Sequence, residues 1–276
     1  MASDARIAKL LSHIAACHTA VLPGERLPLY AGARHIGYLR PALAARLAEI
    51  SPRVTVLAHK VLLNEAALPQ LNELAAAAGI PTRAEDFDVR EDADGPVLAV
   101  LDRGALPAFG VIGVGVHLNG IVRRADGVHV WVGKRAANKK LDPGKLDNLV
   151  AGGVPAGYTP FQALVKEAEE EAALPETMAV HARLVGSFRY DMERPEGLRR
   201  DVIHAYDLEL PESFTPEPVD GEMESFSLWP LPRVLEALTT TDEFKFNVTL
   251  VLIDLLLRER LIVGDDAEAL RRALAA

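Results

Sequence analysis

A dense group of glutamates near the middle of the chain offers the clearest chemistry. Glu167, Glu170 and Glu171 are three and four positions apart, so on a helix they would share one face. They would also lie in the C-terminal half of that helix, where its dipole disfavours anions by roughly 0.3–1 kcal/mol each. A bound divalent cation removes this conflict, and carboxylate oxygens suit Mg²⁺ or Mn²⁺. The spacing therefore predicts a metal site, and the alternative is a solvated charged face.

The residues around the glutamates predict the helix that would carry them. Thr159 and Gln162 have the spacing of a capping box, and Pro160 suits the first helical position. Pro175 disfavours continuation of the helix beyond the residue before it. We therefore expect a helix over about residues 160–173.

A run of cations precedes this helix, in a chain whose net charge is −9. This basic loop contains Arg135, Lys139, Lys140 and Lys145. Such a local reversal of charge indicates phosphate recognition, and the alternative is ordinary solvated loop charge. Gly152 and Gly153 follow the loop, and glycines let the backbone approach a substrate or metal closely. The basic loop and both glycines are therefore candidate substrate-binding residues.

The stretch from Gly152 to Leu174 resembles the Nudix box, G-x5-E-x7-R-E-U-x-E-E-x-G-U, in which U is a bulky aliphatic residue. Gly152 matches the first glycine, Glu167 the glutamate of the Arg-Glu pair, and Glu170 and Glu171 the later pair. The resemblance implies that these three glutamates are catalytic and bind Mg²⁺ or Mn²⁺. It also implies that the metal and the chain together hydrolyse a diphosphate.

Three positions depart from the box. Tyr158 stands in place of glutamate, Lys166 in place of arginine and Ala173 in place of glycine. Lysine lacks the planar fork with which arginine can hold a box glutamate in two places. Loss of the glycine changes how the chain leaves the helix.

In Nudix proteins a loop glutamate outside the box, often before a strand, supplies a further metal ligand or the general base. Glu222 and Glu224 precede a predicted strand at residues 225–229 and are the candidates for this catalytic role. Arg199 and Arg200 lie in a charged segment between two predicted strands, at 182–190 and 202–210. We interpret these arginines as exposed turn charge, with substrate contact as the alternative.

The wider chain resembles one Nudix branch, which has an extra N-terminal domain of unknown function and includes the Nudix domain fused to thiamine pyrophosphokinase in fungi. The resemblance rests on segments such as PLYAGARHIGYLRPALAARL, DNLVAGGVPAG and FKFNVTLVLIDLLLRE. It implies a Nudix-type α/β/α sandwich with a mixed sheet, here placed at residues 108–276, after a small α+β domain at residues 1–107. The N-terminal domain is expected to shape the substrate pocket or to form a homodimer surface.

The branch also implies a substrate in which a diphosphate is linked to another group. Damaged thiamine diphosphate, in an oxo or oxy form, would be hydrolysed to the monophosphate. Two alternatives stay open: a pyrophosphatase acting on a nucleotide sugar or dinucleotide such as ADP-ribose or NADH, and a non-enzymatic sensor that binds a phosphorylated ligand.

Composition narrows the partners and the compartment. The chain has 276 residues, and its net charge of −9 and pI of about 5.4 argue against a nucleic-acid surface. Cys17 is the single cysteine, which excludes an intrachain disulfide and favours a reducing compartment. The chain has neither a signal-peptide pattern nor an apolar run long enough to span a bilayer. We expect a cytoplasmic protein with a small-molecule partner.

Overall fold

The computed structural model describes residues 2–139 and 141–275, and their side chains from residue 5 onward. Residues up to about 110 form a small region with its own sheet and helices. Its elements are α1 (Ala2–Ala16), β1 (Leu27–Ala31), β2 (Arg34–Leu39), α2 (Pro41–Ile50), β3 (Val54–Val56), β4 (Val61–Leu63), a 3₁₀ helix (Glu65–Gln70), α3 (Leu71–Ala77), β5 (Asp86–Val89), β6 (Ala99–Asp102) and α4 (Leu106–Phe109).

The remaining elements build a larger unit around a mixed sheet. They are β7 (Ile112–Arg124), β8 (Gly127–Arg135), β9 (Leu146–Asp147), β10 (Val150–Gly153), α5 (Pro160–Ala172), α6 (Glu176–Ala179), β11 (Arg183–Arg194), β12 (Gly197–Glu209), β13 (Met223–Pro230), α7 (Leu231–Thr240), α8 (Val248–Arg258) and α9 (Gly264–Leu274).

Three groups of paired strands organise these elements. The N-terminal sheet has the order β2-β1-β4-β3, and β5 and β6 form a separate antiparallel hairpin. The large sheet has the order β11-β12-β7-β8-β13, with β10 paired to β7 and β9 to β8. Strands β7 and β12 run parallel, whereas the other pairs in this sheet are antiparallel. The predicted mixed sheet is confirmed.

Helices cover both faces of the large sheet. Helix α5 packs on one face through Ala163, Leu164 and Ala168. Helices α7, α8 and α9 cover the other face, and α8 is apolar on nearly every side because it is buried between the sheet and its neighbouring helices. The predicted α/β/α sandwich, preceded by a region with its own sheet and helices, is confirmed. Among the described helices, none is long and apolar enough to cross a membrane.

Helix α1 belongs to the core of the large unit, although it begins the N-terminal region in sequence. Leu10, Ile14 and Cys17 are buried in the same cluster as α7, α8 and α9. The N-terminal sheet has a separate core that runs from Leu29 to Val111. The chain therefore leaves the large unit after α1 and returns to it near residue 111, while the boundary at residue 107 stays a prediction.

The long β11–β12 hairpin differs from the prediction. We expected a charged turn between shorter strands, but the strands continue and turn only between Arg194 and Gly197. The added length is stabilised because Leu198 is fully buried and because Arg200 forms a 3.5 Å ion pair with Asp191 on the opposite strand. The interpretation of Arg200 as exposed turn charge is thus wrong, since its side chain is 6% exposed.

Candidate active site

The helix that carries the glutamates begins as its capping box predicts. The Thr159 hydroxyl accepts a 3.2 Å hydrogen bond from the Gln162 backbone N–H, and Gln162 Oε1 accepts a 3.0 Å bond from the Thr159 N–H. The helix ends at Ala172, and Ala173 adopts a left-handed conformation with φ of 51°. Alanine therefore takes the position that glycine occupies in the box, at the energetic cost of a Cβ in that conformation.

The three box glutamates lie in different environments. Glu171 is 1% exposed and accepts a 2.9 Å hydrogen bond from the backbone N–H of Ala151. The side chain of Glu167 is 18% exposed and packs against Gly152. Glu170 is about half-exposed and forms an ion pair with Lys166, one helical turn earlier. Helix α5 thus presents Glu167 and Glu171 to strand β10, while Glu170 turns to Lys166.

Burial disfavours the ionised forms of Glu167 and Glu171. It raises the pKa of Glu167 to about 7, a rise that the nearby Lys166 opposes and that the carboxylates of Glu170 and Glu222 increase. Burial also raises the pKa of Glu171 well above its usual value, although the bond from Ala151 opposes this rise. A cation placed beside these groups would favour their ionised forms. No group of three His, Cys, Asp or Glu side chains within residues 5–139 and 141–275 is already arranged to hold a metal ion.

The loop glutamates Glu222 and Glu224 differ in their relation to the buried carboxyls of Glu167 and Glu171. Glu222 forms an ion pair with Lys139, and its charge contributes to the raised pKa of both Glu167 and Glu171. Glu224 points to an exposed ion pair with Lys134 at 3.0 Å. Glu222 therefore interacts electrostatically with the acidic cluster, which consists of Glu167, Glu170 and Glu171, whereas Glu224 pairs with Lys134 at the surface.

The basic loop divides into structural and surface cations. Arg135 is 4% exposed and donates through Nη1 to Asp147, at 2.8 Å, and through Nη2 to the Leu141 carbonyl, at 2.9 Å. The structure thus places Arg135 in a buried ion pair that shapes the loop, where it cannot reach a phosphate in solvent. Lys145 donates to the Asp242 carbonyl. Lys140 lies outside the described residues.

Both glycines before α5 have a close neighbour from the chain itself. A Cβ atom at Gly152 would stand 2.6 Å from Cγ and Cδ of Glu167, so glycine lets the helix approach the strand. A Cβ atom at Gly153 would overlap the ring of Phe87, from hairpin β5–β6. The backbone N–H of Ala156 also donates to the Asp86 carbonyl at 2.7 Å. Sequence reasoning missed this docking, because residues 87 and 153 share no local pattern.

A cavity of about 90 Å³ lies between hairpin β5–β6 and the large sheet, and we call it the hairpin cavity. Ala151, Gly152 and Gly153 form one wall, so strand β10 contacts the hairpin cavity as well as Glu167 and Glu171. Its described lining holds more basic than acidic side chains; the charged ones are Arg83, Arg103, Glu196, Arg199, Arg200, Asp201 and Lys245. Four of the five cations already pair with a carboxylate: Arg103 with Glu85, Arg199 with Asp201, Arg200 with Asp191 and Lys245 with Asp147.

His117 also lines the hairpin cavity, and it is a neutral group near pH 7. Burial, followed by the nearby charge of Lys245, lowers the pKa of His117 to about 4. Its Nδ1 lies 2.7 Å from Asn148 Oδ1, which makes the ring a donor there. His117 thus contributes a fixed hydrogen bond to the cavity wall, without a charge.

Comparison with known proteins agrees with this architecture. Residues 115–250 match the model of the NUDIX domain family. The chain is 44% identical over 180 residues to Nudix hydrolase 20, chloroplastic, of Arabidopsis thaliana, covering 65% of this chain and 48% of the relative. It is 39% identical over 213 residues to Nudix hydrolase 24, chloroplastic, of the same plant, covering 76% and 55%. The chain thus spans about half the length of these relatives.

One solved structure shows a distant likeness. A crystal structure of DR0079 from Deinococcus radiodurans covers 68% of this chain and 99% of its own, with 21% identity and a TM-score of 0.46. The family match includes β10, α5 and β13, and hence the acidic cluster and both loop glutamates. Residues 115–250 thus match the NUDIX domain family, and the chain is similar to Nudix hydrolases.

Proposed function

We propose that this chain is a metal-dependent hydrolase of diphosphates that are linked to another group. The observation that carries the proposal is the pair Glu167 and Glu171, buried beside β10 with raised pKa values. A fold tolerates such carboxyls where a ligand compensates their charge. Similarity to Nudix hydrolases supports the reaction class.

The donor chemistry of the acidic cluster fits Mg²⁺ or Mn²⁺, which Nudix hydrolases generally use. Carboxylate oxygens are hard ligands, and Glu167 and Glu171 would hold the ion, joined by Glu170 once it leaves Lys166. When bound, such an ion neutralises diphosphate charge and activates the attacking water.

The chain's own residues then have separate tasks. We propose Glu222 as the general base, since it is the loop glutamate whose charge reaches the acidic cluster. Lys139, now paired with Glu222, would exchange this partner for a phosphate oxygen. The wall Ala151–Gly153 would place the diphosphate between the acidic cluster and the hairpin cavity.

For the substrate, we propose a damaged thiamine diphosphate, in the oxo or oxy form, which yields the monophosphate and inorganic phosphate. The branch resemblance supports this choice. ADP-ribose and NADH represent the nucleotide alternative. The non-enzymatic alternative is a sensor that binds a phosphorylated ligand without hydrolysing it. The departures from the Nudix box at Tyr158, Lys166 and Ala173 are compatible with such a sensor. A cytoplasmic location and a homodimer stay predictions.

The test is a set of specificity constants, measured with Mg²⁺ and with Mn²⁺. The substrates are oxo- and oxythiamine diphosphate, thiamine diphosphate, ADP-ribose and NADH. We expect turnover that excess chelator abolishes, and faster hydrolysis of the damaged thiamine diphosphates. Preference for ADP-ribose or NADH would replace the substrate proposal. Absence of turnover on the whole panel, with retained binding, would favour the sensor.

A further inference from the structure

Asn247 has an unused hydrogen-bond acceptor where a capping bond would be expected. It immediately precedes helix α8, and asparagine is among the preferred residues for capping a helix N-terminus. Its side chain nevertheless makes no capping hydrogen bond. The residue is 7% exposed, and its Oδ1 has no hydrogen-bond partner among the described residues. A buried acceptor without a partner destabilises the fold unless a ligand satisfies it.

The neighbours of Asn247 fix the orientation of its amide. Tyr190 donates its hydroxyl proton to Asp201 Oδ2, which leaves an oxygen lone pair on Tyr190 as an acceptor. Asn247 Nδ2 lies 3.4 Å from that hydroxyl and donates to it. The opposite amide orientation would place Oδ1 against an oxygen that has no proton to give. Oδ1 is therefore the atom left without a partner.

Arg199 completes this group with an available donor. Its Nε lies 3.4 Å from Asp201 Oδ2, and its side chain is 19% exposed. Asp201 itself fits against the sheet because Gly113 has no Cβ, which would stand 2.5 Å from Asp201 Oδ1. Arg199, Asp201, Tyr190 and Asn247 all line the hairpin cavity. They thus present an acceptor, Asn247 Oδ1, and a donor, the Arg199 guanidinium. Tyr190, which contacts Asn247, and Asp201, which contacts Arg199, are hydrogen-bonded to each other and so connect the two.

The N-terminal region provides the opposite wall of this cavity. Phe87 covers Gly153, and Arg103 lies over the Phe87 ring with its guanidinium carbon 5.6 Å from the ring centroid. Glu85 holds Arg103 through a 2.8 Å ion pair. A ligand that extends from the acidic cluster past Gly152 would therefore meet residues of both regions.

We propose that the hairpin cavity recognises the part of the substrate that is not diphosphate, and that Asn247 and Arg199 determine specificity there. The ligand class is an amide or amino-heterocycle, whose edge offers an N–H donor to Asn247 Oδ1 beside an acceptor for Arg199. This assignment rests on the proposed diphosphate hydrolase function. It gives the N-terminal region a part in substrate recognition, through the Phe87 and Arg103 wall.

The experiment compares Asn247→Ala and Arg199→Met with Arg189→Met. Arg189 is half-exposed on β11, outside the described lining of the cavity, and serves as the matched control. Calorimetry with Mg²⁺ measures the Kd of inorganic diphosphate, which probes the acidic cluster without the cavity. The same method measures the Kd values of ADP-ribose, NADH and oxothiamine diphosphate. Steady-state kinetics give KM and kcat for each ligand that is hydrolysed.

We expect Asn247→Ala and Arg199→Met each to raise KM about 3- to 10-fold, as loss of one hydrogen bond predicts. The kcat values, the Kd of inorganic diphosphate and all constants of Arg189→Met should change less than twofold. Thermal unfolding checks the fold, and Arg199→Met carries the test alone if Asn247→Ala does not fold.

Three results would overturn the inference. Unchanged KM in both cavity variants would show that neither residue contacts the ligand. If the two cavity variants bound inorganic diphosphate as weakly as they bind the organic ligands, the cavity would have no role separate from diphosphate binding. No binding of any organic ligand by the wild type would exclude the ligand class. If the wild type hydrolysed none of the organic ligands but bound them more tightly than the two cavity variants do, only the hydrolase proposal would be contradicted.

Discussion

The Phe87 ring covers the face of Gly153, so that a Cβ atom at position 153 would stand 3.0 Å from Cε1 of the ring. This contact fastens hairpin β5–β6 to the strand that leads into the catalytic helix. It is supported by the 2.7 Å hydrogen bond from the Ala156 N–H to the Asp86 carbonyl. The hairpin thereby becomes a wall of the candidate active site.

Gly153→Ala should destabilise the fold by about 1–3 kcal/mol, because its methyl group overlaps a buried ring. Phe87→Leu removes part of that ring at a cost of its own. The loss of stability in the double variant should be smaller than the sum of the two single losses by at least about 0.5 kcal/mol. Urea unfolding of the four proteins measures this coupling. Strict additivity would mean that residues 87 and 153 do not touch.

Glu171→Gln should lower kcat/KM at least about 100-fold, since it removes a group that would hold the charge-stabilising ion. Glutamine keeps an acceptor for the Ala151 N–H, and it avoids burying a carboxylate. The melting temperature of the metal-free protein should therefore stay the same or rise, while its increase on adding Mg²⁺ should shrink. Glu169→Gln, one position outside the box pair, is the control for the helix. Normal turnover in Glu171→Gln would show that this carboxylate has no catalytic role.

Arg135→Met should destabilise the fold by about 3 kcal/mol, because it leaves the fully buried Asp147 with a weaker set of partners. Lys139→Met should change stability by less than about 1 kcal/mol, since its ion pair with Glu222 is partly exposed. Its effect should instead appear in KM for the diphosphate. Denaturant unfolding and steady-state kinetics separate the two roles. Equal stability losses would contradict this division of the basic loop.

His117 should make stability fall on acidification. Its pKa is lowered from 6.5 to about 4 in the folded state, so the folded protein binds fewer protons than the unfolded chain between these values. Its contribution is complete above pH 6.5 and is lost as pH falls toward 4, by up to about 3 kcal/mol. Relative to His117→Asn, the wild type should lose free energy of unfolding across this window. Parallel pH profiles of the two proteins would rule out a neutral buried His117.

The sequence by itself determined the features that depend on local spacing. The capping box at Thr159, the helix it begins and the strand predicted at residues 225–229 follow from patterns within a few residues. The spacing of Glu167, Glu170 and Glu171 likewise located the acidic cluster in the sequence. Its likeness to a Nudix box also indicated the fold class.

Only the tertiary structure decided how those residues differ from one another. Glu170 and Glu171 are neighbours in sequence, but packing against β10 buries one while Lys166 holds the other at the surface. Arg135 and Lys139 belong to one basic run, yet only Arg135 is buried, because it pairs with the buried Asp147. Phe87 reaches Gly153 because the hairpin folds back on the sheet, a contact that no local pattern encodes. Burial and distant partners set the charge state and reach of a side chain, and both arise from the folding of the whole chain.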